Sequence, residues 1–262
     1  MFETLELNGR KKGTLLCFGI DPVLEKMKCE GGDAKEKIEN YYFPIADLLL
    51  AENQIVSIKP NYAYFAQYGF EGLHALKSII ERYKGKLEII LDAKRGDIGK
   101  SSEAYAKEAF DFWNADALTV SPYMGSDSIK PFLREGKPIY VLCRTSNPGA
   151  ADFQEKGSPQ LYELVAQKAL EWKTGLVVGA TSDSIKKISS ITKGQIPFLI
   201  PGIGAQGGDL ESVLAAIKQR PHIHRINASS SIAFAWEKGK SAPEKAALEE
   251  AKKLNSQIGK IL

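Results

Sequence analysis

The feature that most constrains the fold is an alternation that repeats along the whole chain. Short apolar runs rich in β-branched residues alternate with longer amphipathic segments, which is typical of parallel strands joined by helical crossovers. Eight apolar runs lie at 14–20, 54–60, 87–93, 117–122, 138–143, 175–180, 197–203 and 224–229. The helical patterns lie near 35–51, 71–83, 101–114, 126–134, 160–172, 182–191, 209–219 and 243–257.

Eight strand–helix pairs in a chain of 262 residues match the usual size of a TIM barrel. An open doubly wound sheet more often has about five to seven strands. A two-domain arrangement would need a linker or a break in composition, and the sequence has neither. We therefore predict an α/β protein that forms a single (β/α)8 TIM barrel over 1–262. The longest irregular stretch, 144–159, is expected to be a functional loop.

The composition limits the classes of partner and the cellular compartment that we expect for the protein. The 35 basic and 32 acidic residues nearly cancel to +3, so a nucleic-acid partner is not expected, whereas a small anionic substrate fits. Cys17, Cys29 and Cys143 are widely spaced and predict neither a disulfide framework nor a zinc site, which favours the cytoplasm. The first residues, MFETLELNGRKK, carry acids and no long apolar run, and no later stretch approaches eighteen apolar residues. Neither secretion nor a membrane span is therefore expected.

A cluster of charges follows the third apolar run. Strand periodicity puts Asp92 and Lys94 on one face, and the carboxyl end of a barrel strand points such residues into the mouth. Lys59 lies at the corresponding end of the second run. Neighbouring barrel strands lie about 4.8 Å apart, so Lys59 could reach the same mouth. Charged strand ends are common, so a solvated ion-pair cluster is the alternative for the third run alone. Because buried charges are costly, the alternating array of Lys59, Asp92, Lys94 and Asp97 fits function better than stability.

The array suits decarboxylation without a cofactor. Carboxylates on both sides of Lys94 would favour its ammonium form and hold a proton donor in place. Asp92 would repel a substrate carboxylate, and that repulsion would disappear as carbon dioxide leaves. A neighbouring ammonium would then stabilise and protonate the carbanion.

The run LDAKRGDI, at 91–98, resembles the D-x-K-x-x-D-I signature of orotidine 5'-phosphate decarboxylases, in particular their longer bacterial branch. The resemblance covers essentially the whole chain. It implies decarboxylation of orotidine 5'-monophosphate to uridine 5'-monophosphate in de novo pyrimidine biosynthesis, with no cofactor and no metal. In that scheme Lys94 protonates C6 of the pyrimidine, Asp92 lies beside the departing carboxylate, and Lys59 links Asp92 to the ribose hydroxyls.

The same resemblance implies a homodimer with shared active sites. Asp97 and Ile98 would reach into the site of the partner subunit, and the hydroxyl of Ser101 would bind the ribose.

Later strand ends carry further pieces of the resemblance. Asp21 in CFGIDP matches an aspartate that binds a ribose hydroxyl, and Ser146 in CRTSNPG matches a serine that reads the amide edge of the pyrimidine. The run PGIGAQGG begins with Pro201 and Gly202, where barrels commonly place backbone N–H groups around a phosphate. Gln206 would fold over the phosphate and the base. Without this context, each of the three segments would be interpreted as a turn.

One position departs from the family pattern. The eighth strand of the family ends in an arginine that grips the phosphate, but here NASSSIA places Ser230 at that position. A bidentate arginine contact would be absent, and the hydroxyls of Ser229 and Ser230 would bind phosphate more weakly. We therefore expect reduced affinity for the phosphorylated substrate.

Two other functions remain open on the sequence. Related barrels use a D-x-K-x-x-D motif for magnesium-dependent sugar-phosphate decarboxylation or aldol chemistry, but those relatives carry an acid on the second strand where this chain has Lys59. A non-catalytic nucleotide-binding barrel is the second alternative, which the complete set of charged residues disfavours. His222 and His224 form an H-x-H pair without a third ligand nearby, so no metal site is predicted.

Overall fold

A computed structural model describes residues 2–29, 31–180, 184–203 and 210–262. Within these ranges eight parallel strands form a closed barrel in sequence order, with β8 paired to β1. The strands are β1 (Leu16–Ile20), β2 (Ser57–Pro60), β3 (Glu88–Arg95), β4 (Ala117–Val120), β5 (Ile139–Arg144), β6 (Gly175–Val178), β7 (Phe198–Ile200) and β8 (Arg225–Ala228). The predicted (β/α)8 barrel is confirmed.

Helices cover the outside of the barrel, as the amphipathic segments predict. They are α1 (Glu3–Lys12), α2 (Ala34–Ala51), α3 (Tyr62–Ala66), α4 (Gly69–Tyr83), α5 (Gly99–Lys107), α6 (Ser126–Ile129), α7 (Leu161–Trp172), α8 (Ser184–Thr192), α9 (Leu210–Ile217), α10 (Ser230–Ala233) and α11 (Pro243–Ile258). Short 3-10 turns at Leu24–Lys26, Lys130–Phe132, Pro148–Asp152, Pro221–Ile223 and Ala235–Lys238 connect them.

Some helix boundaries differ from the predicted ones for local reasons. The segment predicted as a helix over 126–134 is split between α6 and a 3-10 turn, because Pro131 has no N–H to continue the ladder. The segment predicted over 101–114 begins two residues earlier, with Ile98 at the N-cap position, and ends in a π turn at Glu108–Phe112. The short helices α1, α3 and α10 were not predicted.

The strands are buried on both faces, which explains why they are continuous apolar runs in the sequence. Every residue of β1, β4 and β8 is buried. Side chains inside the barrel pack against each other, while the outer faces pack against the helices. The consequence is a rigid frame whose loops at the carboxyl ends of the strands are free to carry function.

The N-terminal helix α1 closes the end of the barrel that is formed by the amino ends of the strands. Arg225, the first residue of β8, is fully buried and donates two hydrogen bonds to Glu88 at 2.7 and 2.6 Å. Arg225 also donates to the carbonyl of Leu5 in α1 at 2.7 Å, and Asn8 of the same helix donates to Glu88 at 2.8 Å. A buried ion pair is tolerated only when its remaining hydrogen-bonding groups are satisfied. Here α1 and the backbone carbonyls of His222 and His224 satisfy them.

His224 lies at this closed end and is a structural residue. Its Nδ1 accepts the backbone N–H of Phe198 at 2.9 Å, and the side chain is buried. Among the described residues there is no cluster of three or more His, Cys, Asp or Glu side chains that could hold a metal ion. Burial, reinforced by the charge of Arg225, lowers the pKa of His224 to about 3.

No described helix is both long and apolar enough to cross a membrane.

We predict that His224 makes the fold sensitive to acid. Below about pH 6.5 the unfolded chain binds a proton at His224 that the folded chain excludes until about pH 3, so stability falls as the pH drops through that window. Between pH 6 and 4.5 the free energy of unfolding should fall by about 2 kcal/mol more in the wild type than in His224→Asn, whose amide oxygen can accept the same N–H without titrating. Urea denaturation at both pH values measures this difference, and equal pH dependence in the two proteins would contradict it.

Candidate active site

A cavity of about 820 Å³ opens at the carboxyl ends of the strands. Its volume lies in the range of about 300–1,000 Å³ that small-molecule sites occupy. Many of the residues predicted for the site line it, namely Asp21, Lys59, Asp92, Lys94, Ser146, Pro201, Gly202, Ser229 and Ser230.

Asp92 is the centre of the charge cluster. Its Oδ2 accepts Lys59 Nζ at 2.6 Å and its Oδ1 accepts Lys94 Nζ at 2.6 Å. The side chains of Lys59 and Asp92 are only 5% and 9% exposed, whereas that of Lys94 is 48% exposed. The cluster therefore presents one buried cation, one buried anion and one accessible ammonium, with a net charge of +1.

Both buried members of the cluster stay charged. Burial opposes ionisation of Asp92, but the ammonium groups of Lys59 and Lys94 outweigh it and hold the pKa of Asp92 well below its ordinary value. Burial also opposes the charged form of Lys59, but Asp92 and then Asp21 outweigh it and raise the pKa of Lys59 above its ordinary value. A fixed carboxylate thus coexists with a fixed cation at neutral pH.

The backbone at Lys94 is unusual and is held by a threonine from the next strand. Lys94 has a φ of 48°, a left-handed conformation that is strained for a residue other than glycine. The register between β3 and β4 shifts between Leu91 and Arg95, so the strand is irregular at this point. Thr119 accepts the N–H of Lys94 at 3.0 Å and donates its hydroxyl to Asp92 at 2.9 Å. This bridge, rather than simple strand alternation, turns Lys94 toward Asp92.

Two buried acceptors in the wall of the cavity have no hydrogen-bond partner among the described residues. They are Oδ1 of Asp21 and Oδ1 of Asn227. Because β1 and β8 are paired, both side chains belong to the same side of the mouth. Gly19 of β1 also lies here, where a Cβ would collide with the hydroxyl of Ser229. Buried acceptors without partners indicate a ligand that brings hydroxyl donors to this wall.

The loop after β5, predicted as functional, forms another wall. Thr145, Ser146, Asn147 and Gln154 line the cavity. The side chain of Gln154 links two parts of the loop, because its Oε1 accepts a hydrogen bond from the N–H of Thr145 at 2.9 Å. The loop therefore presents its polar groups from a defined backbone rather than from a loose coil.

The turn after β7 and the residues after β8 form the end of the cavity where phosphate binding is predicted. Pro201, Gly202, Ser229 and Ser230 line this end. Gly202 has a φ of 99°, a conformation that glycine adopts without a steric penalty. Gln206 lies outside the described residues.

Three of the predicted residues do not line the cavity of their own chain. Asp97, Ile98 and Ser101 follow β3 on the outer side of the mouth, and the side chains of Ile98 and Ser101 are exposed. The carboxylate of Asp97 accepts the N–H of Ile98 at 2.7 Å. Within a single chain these residues are separate from the Asp92 cluster.

Sequence reasoning missed several residues of the cavity. Among them are Lys26, Asn61, Tyr64, Thr119 and Asn227. A usable signal existed for Asn61, Thr119 and Asn227, since each is a polar residue at or near the carboxyl end of a predicted strand, where barrels place their sites. Lys26 and Tyr64 lie on connecting segments, and only the tertiary structure brings them to the mouth.

Comparison with known proteins gives consistent matches over most of the chain. Residues 16–244 match the model of the orotidine 5'-phosphate decarboxylase / HUMPS family. The chain is 41% identical over 259 residues to the orotidine 5'-phosphate decarboxylase of Dechloromonas aromatica, covering 94% of this chain and 95% of that protein. Among solved structures, it is similar to Leishmania donovani OMP decarboxylase, with 34% identity, a TM-score of 0.78 and 98% coverage of each chain. It also matches Leishmania donovani UMP synthase with 36% identity and a TM-score of 0.82, covering 99% of this chain and 56% of that one.

We predict that Thr119 supports the geometry of Lys94. Thr119→Val removes the acceptor of the Lys94 N–H and one donor to Asp92, and should lower the free energy of unfolding by about 1–3 kcal/mol. Thr119→Ser keeps the hydroxyl and is the matched control, which should stay closer to the wild type. Urea denaturation compares the two variants, and a valine variant as stable as the serine variant would show that the bridge is unimportant.

Proposed function

The chain belongs to the orotidine 5'-phosphate decarboxylase / HUMPS family, and we propose that it converts orotidine 5'-monophosphate to uridine 5'-monophosphate and carbon dioxide in pyrimidine biosynthesis. The observation that carries the proposal is the buried Asp92 carboxylate held between two ammonium groups at 2.6 Å. The arrangement needs no cofactor, because the charges of the substrate and of the cluster supply the driving force.

In the proposed reaction the bond between C6 and the carboxylate breaks and its electron pair stays on C6. Asp92 remains ionised beside the substrate carboxylate, and their repulsion is relieved as neutral carbon dioxide departs. Lys94, the accessible member of the cluster, stabilises the developing carbanion and transfers a proton from Nζ to C6. Lys59 keeps Asp92 in place and charged, and is proposed to link Asp92 to the ribose hydroxyls.

The other lining residues are proposed to position the nucleotide. The free acceptors of Asp21 and Asn227 suit ribose hydroxyls, and Ser146 suits the amide edge of the pyrimidine. Pro201, Gly202, Ser229 and Ser230 would surround the phosphate, and Gln206 would cover it.

The magnesium-dependent alternative is disfavoured by the position of Lys59. Its ammonium lies 2.6 Å from Oδ2 of Asp92 and occupies the face of the carboxylate that a divalent ion would need. A metal enzyme of this kind would have to replace that cation by an acid. The complete charge cluster likewise disfavours a barrel without catalytic activity.

We further propose a homodimer with shared active sites, acting in the cytoplasm. Asp97, Ile98 and Ser101 stand outside the cavity of their own chain, which suits donation to a partner. Two apolar side chains that follow the carboxyl ends of β3 and β4 are exposed, Ile98 at 59% and Tyr123 at 85%. Exposed apolar side chains beside the mouth favour burial against a second copy.

We predict that Lys94→Ala removes most of the activity. The loss of both the proton donor and the stabilising charge should cost about 3 kcal/mol or more in barrier, a fall of about 150-fold or more in kcat. The ultraviolet change as orotidine monophosphate becomes uridine monophosphate follows the reaction. Lys77→Ala, an exposed lysine of α4, is the control and should behave as the wild type, and a chelator should leave turnover unchanged. A Lys94→Ala enzyme within tenfold of the wild type would overturn the assigned role.

We predict that two inactive variants restore activity when they are mixed. Lys94→Ala and Asp97→Ala should each be nearly inactive, but a mixed dimer would contain one site with an intact Lys94 and a partner's intact Asp97. After random subunit exchange about half of the dimers are mixed and half of their sites are intact, so about a quarter of wild-type activity should return. Mixtures that stay as inactive as their components, although subunits have exchanged, would show that Asp97 acts within its own chain.

A further inference from the structure

The phosphate end of the cavity lacks the cation that the family places after the eighth strand. Ser230 occupies that position and is exposed to the cavity. Among the described lining residues the cationic side chains are Lys26, Lys59 and Lys94. Lys59 and Lys94 are both paired with the carboxylate of Asp92 at 2.6 Å, so both ammonium groups are already engaged.

Lys26 lies next to the residues that follow Ser230. It ends the 3-10 turn at Leu24–Lys26, in the connection after β1, and β1 is paired with β8 in the closed barrel. Its Nζ lies 5.6 Å from the ring centroid of Phe234, which also lines the cavity. The closure of the barrel thus brings Lys26, from the connection after β1, beside the segment that follows β8.

The ammonium of Lys26 is only loosely engaged. Its ion-pair contact is with Glu237, at 3.9 Å, and the two side chains are 53% and 43% exposed. Exposed pairs at this separation are weak. A lysine on a flexible stem in this position can turn toward a stronger anion, and a phosphate dianion attracts it more strongly than a single carboxylate does.

We propose that Lys26 binds the phosphate group of the substrate and supplies the positive charge that arginine supplies elsewhere in the family. The inference rests on the proposed function and specifies how the same site recognises its substrate. Lysine acts as a point charge rather than a two-pronged donor, so it determines affinity for the phosphate without fixing its orientation as an arginine does. The hydroxyl of Ser230 then leaves room for the lysine to approach.

Lys28 provides a matched control on the same segment. Its Nζ lies 3.7 Å from the ring centroid of Trp236, and it does not line the cavity. Lys26→Ala and Lys28→Ala remove the same charge from the same short segment, so any general effect of net charge or of loop stability is common to both. Glu237→Gln is expected to have the opposite effect on phosphate binding, because it removes the carboxylate that pairs with Lys26.

The test is the affinity of each variant for uridine monophosphate and for uridine, measured by calorimetry, together with steady-state kinetics on orotidine monophosphate. We expect Lys26→Ala to lower the affinity for uridine monophosphate about tenfold, which is the scale of one charge-assisted contact. The affinity for uridine should not change. KM for the substrate should rise by a similar factor with little change in kcat. Lys28→Ala should match the wild type, and Glu237→Gln should bind the monophosphate more tightly.

Rescue by arginine separates a phosphate contact from a structural effect. Ser230→Arg should lower KM in the wild type, and it should lower KM by a larger factor in the Lys26→Ala background, because the two cations serve the same group.

Equal affinity for uridine monophosphate in Lys26→Ala and Lys28→Ala would overturn the inference while leaving the decarboxylase intact. A parallel loss of uridine affinity in Lys26→Ala would overturn it as well, since the effect would not depend on the phosphate. Absence of turnover in the wild type would remove the proposed function, and the inference with it.

Discussion

The site depends on one buried carboxylate. Asp92 is almost completely removed from water, and a charge in that position is costly unless it is paired and hydrogen-bonded on all sides. Lys59, Lys94 and Thr119 provide these contacts from the second, third and fourth strands. The result is a carboxylate that stays ionised beside a surplus cation, and the proposed reaction depends on these two charges. The strained backbone of Lys94 indicates that the position of its ammonium is determined by the surrounding structure rather than by local preference.

The two ends of the barrel use buried charge in opposite ways. At the amino ends of the strands, Arg225 and Glu88 neutralise each other, and helix α1 and the backbone carbonyls of His222 and His224 make the remaining hydrogen bonds. This end is closed and has a structural role. At the carboxyl ends, the Asp92 cluster keeps a net charge, and acceptors of Asp21 and Asn227 have no partner among the described residues. These two acceptors face a cavity, where a ligand can supply the missing donors, and this distinguishes a binding site from a core.

Closure of the barrel also brings the connection after β1 beside the residues that follow β8, so that side chains from both can contact the same ligand. The first and eighth strands are far apart in the sequence but adjacent in space, so a cation lost after β8 can be replaced from the connection after β1. Lys26 and Ser230 illustrate this possibility, since both line the same cavity although about two hundred residues separate them. A phosphate group requires positive charge in its neighbourhood but does not require that it come from one particular element.

The sequence alone determined the architecture and the centre of the site. Periodic apolar runs predict eight buried strands, and the charges at the ends of the second and third runs identify Lys59, Asp92 and Lys94, because local periodicity and strand order decide both. Only the tertiary structure decided which distant residues join them. Lys26 reaches the mouth because the first and last strands pair, and α1 closes the barrel through contacts with residues far along the chain. Such positions depend on the closure of the sheet, which brings together segments whose sequences carry no local sign of one another.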